Sequence, residues 1–131
     1  MLIDTHCHLD FPAYDTDRAE VIQRAESAGI KYLINIGATL DSSAAASALA
    51  DQFTQIYAAV GVHPHDAKTF DQVAEDKLKQ LARSNKVVAI GETGLDYYRN
   101  LSTPEQQKYA LTKQIALAKD LNLPLIVHCR Q

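Results

Sequence analysis

Apolar residues in this chain gather into short runs that alternate with helical-period stretches and turn residues. Met1–Thr5 reads as a strand. Asp15 or Thr16 is placed to cap a helix to about Ala28, with Val21, Ile22, Ala25 and Ala28 on one stripe and Gly29 as the stop. Ile30–Ile36 is rich in β-branched residues and predicts a second strand. Asp41 is the candidate cap of an alanine-rich helix to about Asp51, and Ile56–Val62 returns to strand. Residues 71–84 carry Val73, Leu78 and Leu81 at helical spacing, and Val87–Ile90 reads as the next strand. Thr103-Pro104-Glu105-Gln106 combines a cap, a proline at the first helical position and a capping-box glutamine. The helix it opens runs to about Leu121, and Leu125–His128 is a fifth strand.

The expected order is β-α-β-α-β-α-β-α-β, with near-continuous apolar strands of the kind buried on both faces. That order argues for an α/β fold with a parallel sheet and right-handed crossovers. Strand starts fall near residues 2, 31, 56, 87 and 124, roughly 30 residues per unit. Eight such units need about 250 residues, the usual size of a (β/α)8 barrel. With 131 residues, about five strands and four helices, the chain is expected to form an incomplete (β/α)8 barrel as one domain over residues 1–131.

Composition narrows the setting. A hydrophobic share of 47% against 22% charged residues excludes wholesale disorder. No apolar run approaches the roughly 18 residues that span a bilayer, and Met1–His6 lacks the basic and apolar regions of a signal peptide. The two cysteines, Cys7 and Cys129, make no disulfide framework and suit a reducing, cytoplasmic setting; both are expected to be small core residues. A net charge of −3 gives no broad basic surface, so a phosphate-bearing substrate would need local attraction such as bound metal.

The histidines and acids collect at strand ends. His6 and His8 follow the first strand, His63 the third, Glu92 the fourth and His128 the fifth. In a parallel sheet these ends share one edge, where barrel active sites are built. Side chains two apart on a strand point the same way, so His6 and His8 can converge on one ion while Cys7 points elsewhere. Glycines flank Glu92 in Gly91-Glu92-Thr93-Gly94 and let it lean into the site, where its two oxygens could bridge two cations. Pro64 separates His63 from His65, which leaves His63 to contact substrate phosphate or act as a general acid, with a structural role expected for His65. Asp96 could order its loop or hydrogen-bond a ligand histidine. Tyr97, Tyr98 and Arg99 could stack a base or hold a phosphate, or simply pack.

Four stretches carry a resemblance to a known family: Ile3-Asp4-Thr5-His6-Cys7-His8-Leu9-Asp10, Gly61-Val62-His63-Pro64-His65, Gly91-Glu92-Thr93-Gly94-Leu95-Asp96-Tyr97 and Leu123–Arg130. In this order they resemble the TatD family of metal-dependent deoxyribonucleases, within the amidohydrolase-type barrel superfamily. The resemblance implies two divalent cations (Mg2+, Mn2+ or Zn2+) and cleavage of phosphodiester bonds at a DNA 3′ end, with single-stranded ends as the partner. It implies His6 and His8 on one metal, Glu92 bridging both as a catalytic ligand, and His128 on the second. His63 would lie beside the phosphate as a catalytic and substrate-binding residue, with Tyr97 and Arg99 as further substrate contacts. The family also supplies a histidine from its sixth strand and an aspartate from its eighth, and both positions lie past Gln131.

Two rival expectations follow. The same ligands could hydrolyse an amide, lactone or phosphotriester, because fold and metal do not fix chemistry. Alternatively the residues form a non-catalytic metal-binding half-barrel. Its first and fifth strands would present open edges, so the chain is expected to self-associate edge to edge and to have little nuclease activity alone.

Overall fold

The computed structural model describes residues 1–130. Five strands form one parallel sheet in sequence order: β1 Leu2–Cys7, β2 Ile30–Ile36, β3 Ile56–Val60, β4 Val87–Asp96 and β5 Leu125–Arg130. The connecting helices are α1 Arg18–Ser27, α2 Leu40–Gln52, α3 Gln72–Leu81 and α4 Pro104–Leu121. Short 3-10 turns at Pro12–Tyr14 and Pro64–Thr69 follow β1 and β3. The sheet curls into an incomplete (β/α) barrel, as the repeat of strands and helices implies.

Local chemistry sets the helix ends. Thr103 and Gln106 form the expected capping box, with Pro104 at the first helical position. Asn122 closes α4 at φ 54°, a left-handed position that asparagine tolerates. The alanine-rich helix starts earlier than its acidic residue suggests. Thr39, not Asp41, is the cap, and Ser42 returns the reciprocal bond to the Thr39 amide. Helix α1 starts only at Arg18, after a turn through Tyr14 and Asp17.

Two apolar layers hold the sheet. Outside, Leu33, Ile56, Val60 and Ile90 pack with Ile22, Leu49, Leu78 and Leu117 of the helices. Inside the curl lies a smaller cluster of Ile36, Ala59 and Ala89, flanked by Ile34 and Ile126. Each fully buried isoleucine or leucine contributes roughly 1.5–3 kcal/mol, so the outer layer carries most of the stability.

The expectation of strands buried on both faces holds for β3 and β4 and fails at the edges. β1 and β5 each pair on one side only, leaving Leu2 62% and Val127 59% exposed. Cys129 is likewise exposed, not core, because it lies on that open fifth strand. Cys7 packs partly against the outer layer, and its thiol donates to the Ile34 carbonyl at 3.4 Å. Burial, aided by Asp4, pushes that thiol up to about 12, which makes it unreactive.

The fourth strand is longer than its apolar run. It continues through Gly91-Glu92-Thr93-Gly94-Leu95-Asp96, a stretch whose glycines read as loop. Its glycines serve close packing. At Gly94 (φ +152°) a Cβ would overlap the His128 carbonyl of β5. No helix among the described residues is long and apolar enough to cross a membrane.

Candidate metal centre

Irregular strand pairing aims the first candidate ligands. Between Asp4 and Cys7, β1 advances three residues while β2 advances two, so one residue of β1 bulges beside His6. The Asp4 carboxylate takes the His6 amide at 3.0 Å, and the rings of His6 and His8 lie 5.2 Å apart edge to face. Cys7 points to the opposite side, as strand alternation requires. His8 places Nδ1 at 2.9 Å from the Ile36 carbonyl. A carbonyl only accepts, so Nδ1 carries the proton and Nε2 presents the lone pair. Behind this segment Asn35 is fully buried, accepts from the Leu9 amide and donates to Asp10 at 2.7 Å. Arg18 ties down the Leu9 carbonyl at 2.6 Å. These contacts hold the turn that carries His8.

A second bulge delivers Glu92. From Ile90 to Thr93, β4 takes three steps against two on β5, from Leu125 to Val127. The Glu92 amide bonds the Gly37 carbonyl at 2.9 Å, beyond the end of β3. Gly61 permits that crossing, because a Cβ there would stand 2.7 Å from the Gly91 backbone. Glu92 is thereby drawn to the centre of the strand-end face and is 8% exposed. Its Oε2 lies 3.5 Å from His6 Nε2 and its Oε1 3.1 Å from His128 Nδ1. Two groups that could hold a metal ion result, His6–His8–Glu92 and His63–Glu92–His128, each with donor atoms within 4.8 Å of one another. Glu92 belongs to both.

Asp96 forms the base of the site. It is fully buried, and its Oδ2 accepts from His65 Nε2 at 2.8 Å, His128 Nε2 at 3.0 Å and Arg130 Nη2 at 3.0 Å. Burial alone would raise its pKa. The Arg99 amide, His65, His128 and Arg130 outweigh that and hold the carboxyl well below the usual carboxylate range.

His63 sits between the two histidines it resembles, with ring centroids 4.3 Å from both His65 and His128. Its Nδ1 accepts the His65 amide at 3.1 Å. Burial, with His128 and His65 adding to it against the pull of Glu92, lowers its pKa to about 4. Near neutrality the ring is therefore uncharged, with Nδ1 occupied and the proton on Nε2. That state is a hydrogen-bond donor, a poor standing acid and, with its free nitrogen protonated, a weaker ligand than its distances suggest.

The structure thus gathers His6, His8, His63, Glu92 and His128 on one edge. Tyr97 and Arg99 stand exposed on the turn after β4; their amides bond the Arg130 carbonyl at 3.1 Å and Asp96 Oδ1 at 2.9 Å. Neither lines the open cleft bounded by His8, Phe11, His63, His65, Asp66 and Glu92. His65 lines it too, while its bond to Asp96 fits the structural role expected of it. Phe11, stacked on His8 at 4.9 Å and 45% exposed, is an aromatic face that sequence reasoning missed. Arg130 was missed too; its guanidinium lies 5.2 Å from the Tyr98 ring centre. A cation two residues past a strand-end histidine was the available signal.

Comparison with known proteins identifies the family. Residues 3–131 match the family described as TatD related DNase. The chain is 41% identical over 129 residues to the 3′-5′ ssDNA/RNA exonuclease TatD of Cronobacter sakazakii, covering 98% of this chain and 49% of that protein. It is 44% identical over 132 residues to the uncharacterized metal-dependent hydrolase YabD of Bacillus subtilis, covering 99% and 51%. Among solved structures, YjjV, a TatD homologue from Escherichia coli, superposes with a TM-score of 0.90 at 38% identity, covering 99% of this chain and 51% of that one. A TatD family hydrolase from Entamoeba histolytica also gives 0.90, at 29% identity, with 99% and 50% covered. The chain spans about half the length of the curated relatives it matches. The chain belongs to the TatD family.

Proposed function

We propose that these residues supply the amino-terminal half of a two-metal phosphodiesterase centre that removes nucleotides from the 3′ end of single-stranded DNA or RNA. The observation that carries the reading is Glu92, whose two oxygens face ligands of two separate groups, His6 on one side and His128 on the other. The donor set fits divalent cations: neutral imidazoles and a carboxylate suit Zn2+ and Mn2+, and Mg2+ through the carboxylate. His6, His8 and Glu92 would hold one cation, and Glu92 with His128 the other. When bound, such cations lower the pKa of water toward neutrality and offset phosphate charge, which explains how a net-acidic chain could hold nucleic acid.

The chain's own residues do the rest. His63 donates from Nε2 to a phosphate oxygen, a role suited to its neutral state. Phe11 offers its exposed face to the base of the terminal nucleotide, since base–aromatic stacking is worth about 1–3 kcal/mol and tolerates any sequence. Tyr97 and Arg99, exposed outside the cleft, would contact the preceding nucleotides. Activity belongs on this reading to the complete barrel, and the 131 residues alone turn over little substrate. Titration of the chain with Mn2+ or Zn2+ tests the centre: binding should be lost at both positions in Glu92→Gln. Single-stranded DNA and RNA incubated with a complete barrel carrying these residues should shorten from the 3′ end. No shortening with Mg2+, Mn2+ or Zn2+ sinks the nuclease, and metal binding indifferent to Glu92 sinks the shared centre.

A further inference from the structure

Asp96 belongs to neither ligand group, yet it is fully buried and receives more hydrogen bonds than any ligand. Its Oδ2 alone takes His65 Nε2, His128 Nε2 and both Nε and Nη2 of Arg130, at 2.8 to 3.2 Å. We propose that Asp96 is the positioning residue of the second metal position: it holds the proton of His128 on Nε2 and so leaves the Nδ1 lone pair facing Glu92.

This inference rests on the metal-centre reading above and adds a device to it. The two inner histidines are oriented oppositely. His8 has its proton fixed on Nδ1 by the Ile36 carbonyl and offers Nε2. His128 stands between two carboxylates, Glu92 Oε1 at 3.1 Å from Nδ1 and Asp96 Oδ2 at 3.0 Å from Nε2. Either carboxylate could take the single proton of the neutral ring. If Glu92 took it, an N–H would fill the space a cation needs and the position would be closed. Asp96 decides the competition: it sits on β4 at the residue paired with Arg130, is locked by the Arg99 amide on Oδ1, and has no ligand role to give up. A carboxylate partner also makes the ring a stronger donor to metal than a carbonyl partner does. Because the same oxygen holds His65, the cleft wall and the second metal position are set by one atom.

Asp96→Asn keeps the shape and replaces an acceptor with an amide. Nitrogen-15 NMR of the metal-free chain, at a pH where the rings are neutral, reads the tautomer directly. In the unsubstituted chain His128 should carry its proton on Nε2, and a proton found on Nδ1 there overturns the proposal without any variant. In Asp96→Asn the proton should move to Nδ1, and Zn2+ affinity at the weaker position should fall roughly 10–100-fold. Arg130→Gln removes a different partner of Asp96 and should leave the tautomer in place; an equal shift in that variant would mean general loosening and overturn the assignment. If the chain binds no metal while His128 is protonated on Nε2, the metal-centre reading falls and the proton placement is upheld. Normal metal binding by Asp96→Asn with an unmoved tautomer overturns the positioning role alone.

Discussion

Gln114 returns both backbone hydrogen bonds of Val62: its Oε1 accepts from the Val62 amide at 2.8 Å, and its Nε2 donates to the Val62 carbonyl at 3.1 Å. Seven residues earlier on the same helix, Gln107 does the same for Asp96, accepting from its amide at 2.8 Å and donating to its carbonyl at 3.2 Å. Seven residues are close to two helical turns, so both amides project from one face of α4. The side chains act as extra peptide units. They complete the ends of β3 and β4 where the sheet's own ladder stops, next to His63 and beneath His65 and His128.

Removing one of these side chains should therefore cost more than a cavity. Gln114→Ala leaves a buried N–H and a buried C=O unpaired, each worth about 1–3 kcal/mol, so a loss of about 3 kcal/mol is expected by urea denaturation. The His63 ring resonances should shift as well. A cost below about 1 kcal/mol would show that water replaces the clamp.

Gly94 should tolerate no side chain. A Cβ there meets the His128 carbonyl across the β4–β5 ladder, and its φ of +152° disfavours any L-residue. Gly94→Ala is expected to cost about 2–3 kcal/mol and to displace β5, so His128 should lose its bonds to both Glu92 and Asp96. Loss of metal binding at the His128 position, with folding of the outer layer retained by circular dichroism, is the expected signature. An alanine variant as stable as the parent, with His128 unmoved, would contradict the close approach.

Much of this was legible in the sequence, because it depends on period and position. Strand runs, helix caps such as Thr103–Gln106 and the strand-end placement of His6, His8, His63, Glu92 and His128 follow from local pattern alone. What the pattern hid came from pairing across strands. The extra residues in β1 and β4 appear only when neighbours are aligned, so the reach of Glu92 past the end of β3 had no local sign. Gln107 and Gln114 are polar residues in ordinary positions, and their importance lies in backbone groups 11 and 52 residues away, whereas the bond from a strand-end histidine to Asp96 was one of the two roles its position allowed. Cys129 misled because an apolar run reads as buried whether or not a helix covers it.

The open edges carry a prediction about association. β1 and β5 have one neighbour each, Leu2, Ile3 and Val127 are at least half exposed, and Ile3, Tyr32, Ile34, Tyr57 and Val88 line an apolar hollow. Unpaired strand edges beside apolar surface template further pairing. The 131-residue chain should therefore self-associate with rising concentration in light scattering, and a charge in the hollow, as in Ile34→Lys, should reduce it. A monodisperse monomer across the accessible concentration range would count against the edges as sticky surfaces.

His63 makes stability depend on pH in a defined window. Burial holds its folded pKa at about 4, against 6.5 for an unburied ring. Between those values the unfolded chain takes up a proton that the folded chain refuses, so falling pH favours unfolding. The contribution is complete above 6.5, is lost progressively below it, and is gone near 4. The ring is partly exposed, so solvent screening reduces the loss to about 1–2 kcal/mol. Asp96 acts at still lower pH, because its carboxyl is held below the usual range and loses its proton-free state only under stronger acid. Urea midpoints of the metal-free chain at pH 8, 6 and 4.5 should fall across this interval, and His63→Asn should flatten the fall by that amount. Parallel curves for the two chains would place the titration elsewhere and return His63 to the ordinary histidine range.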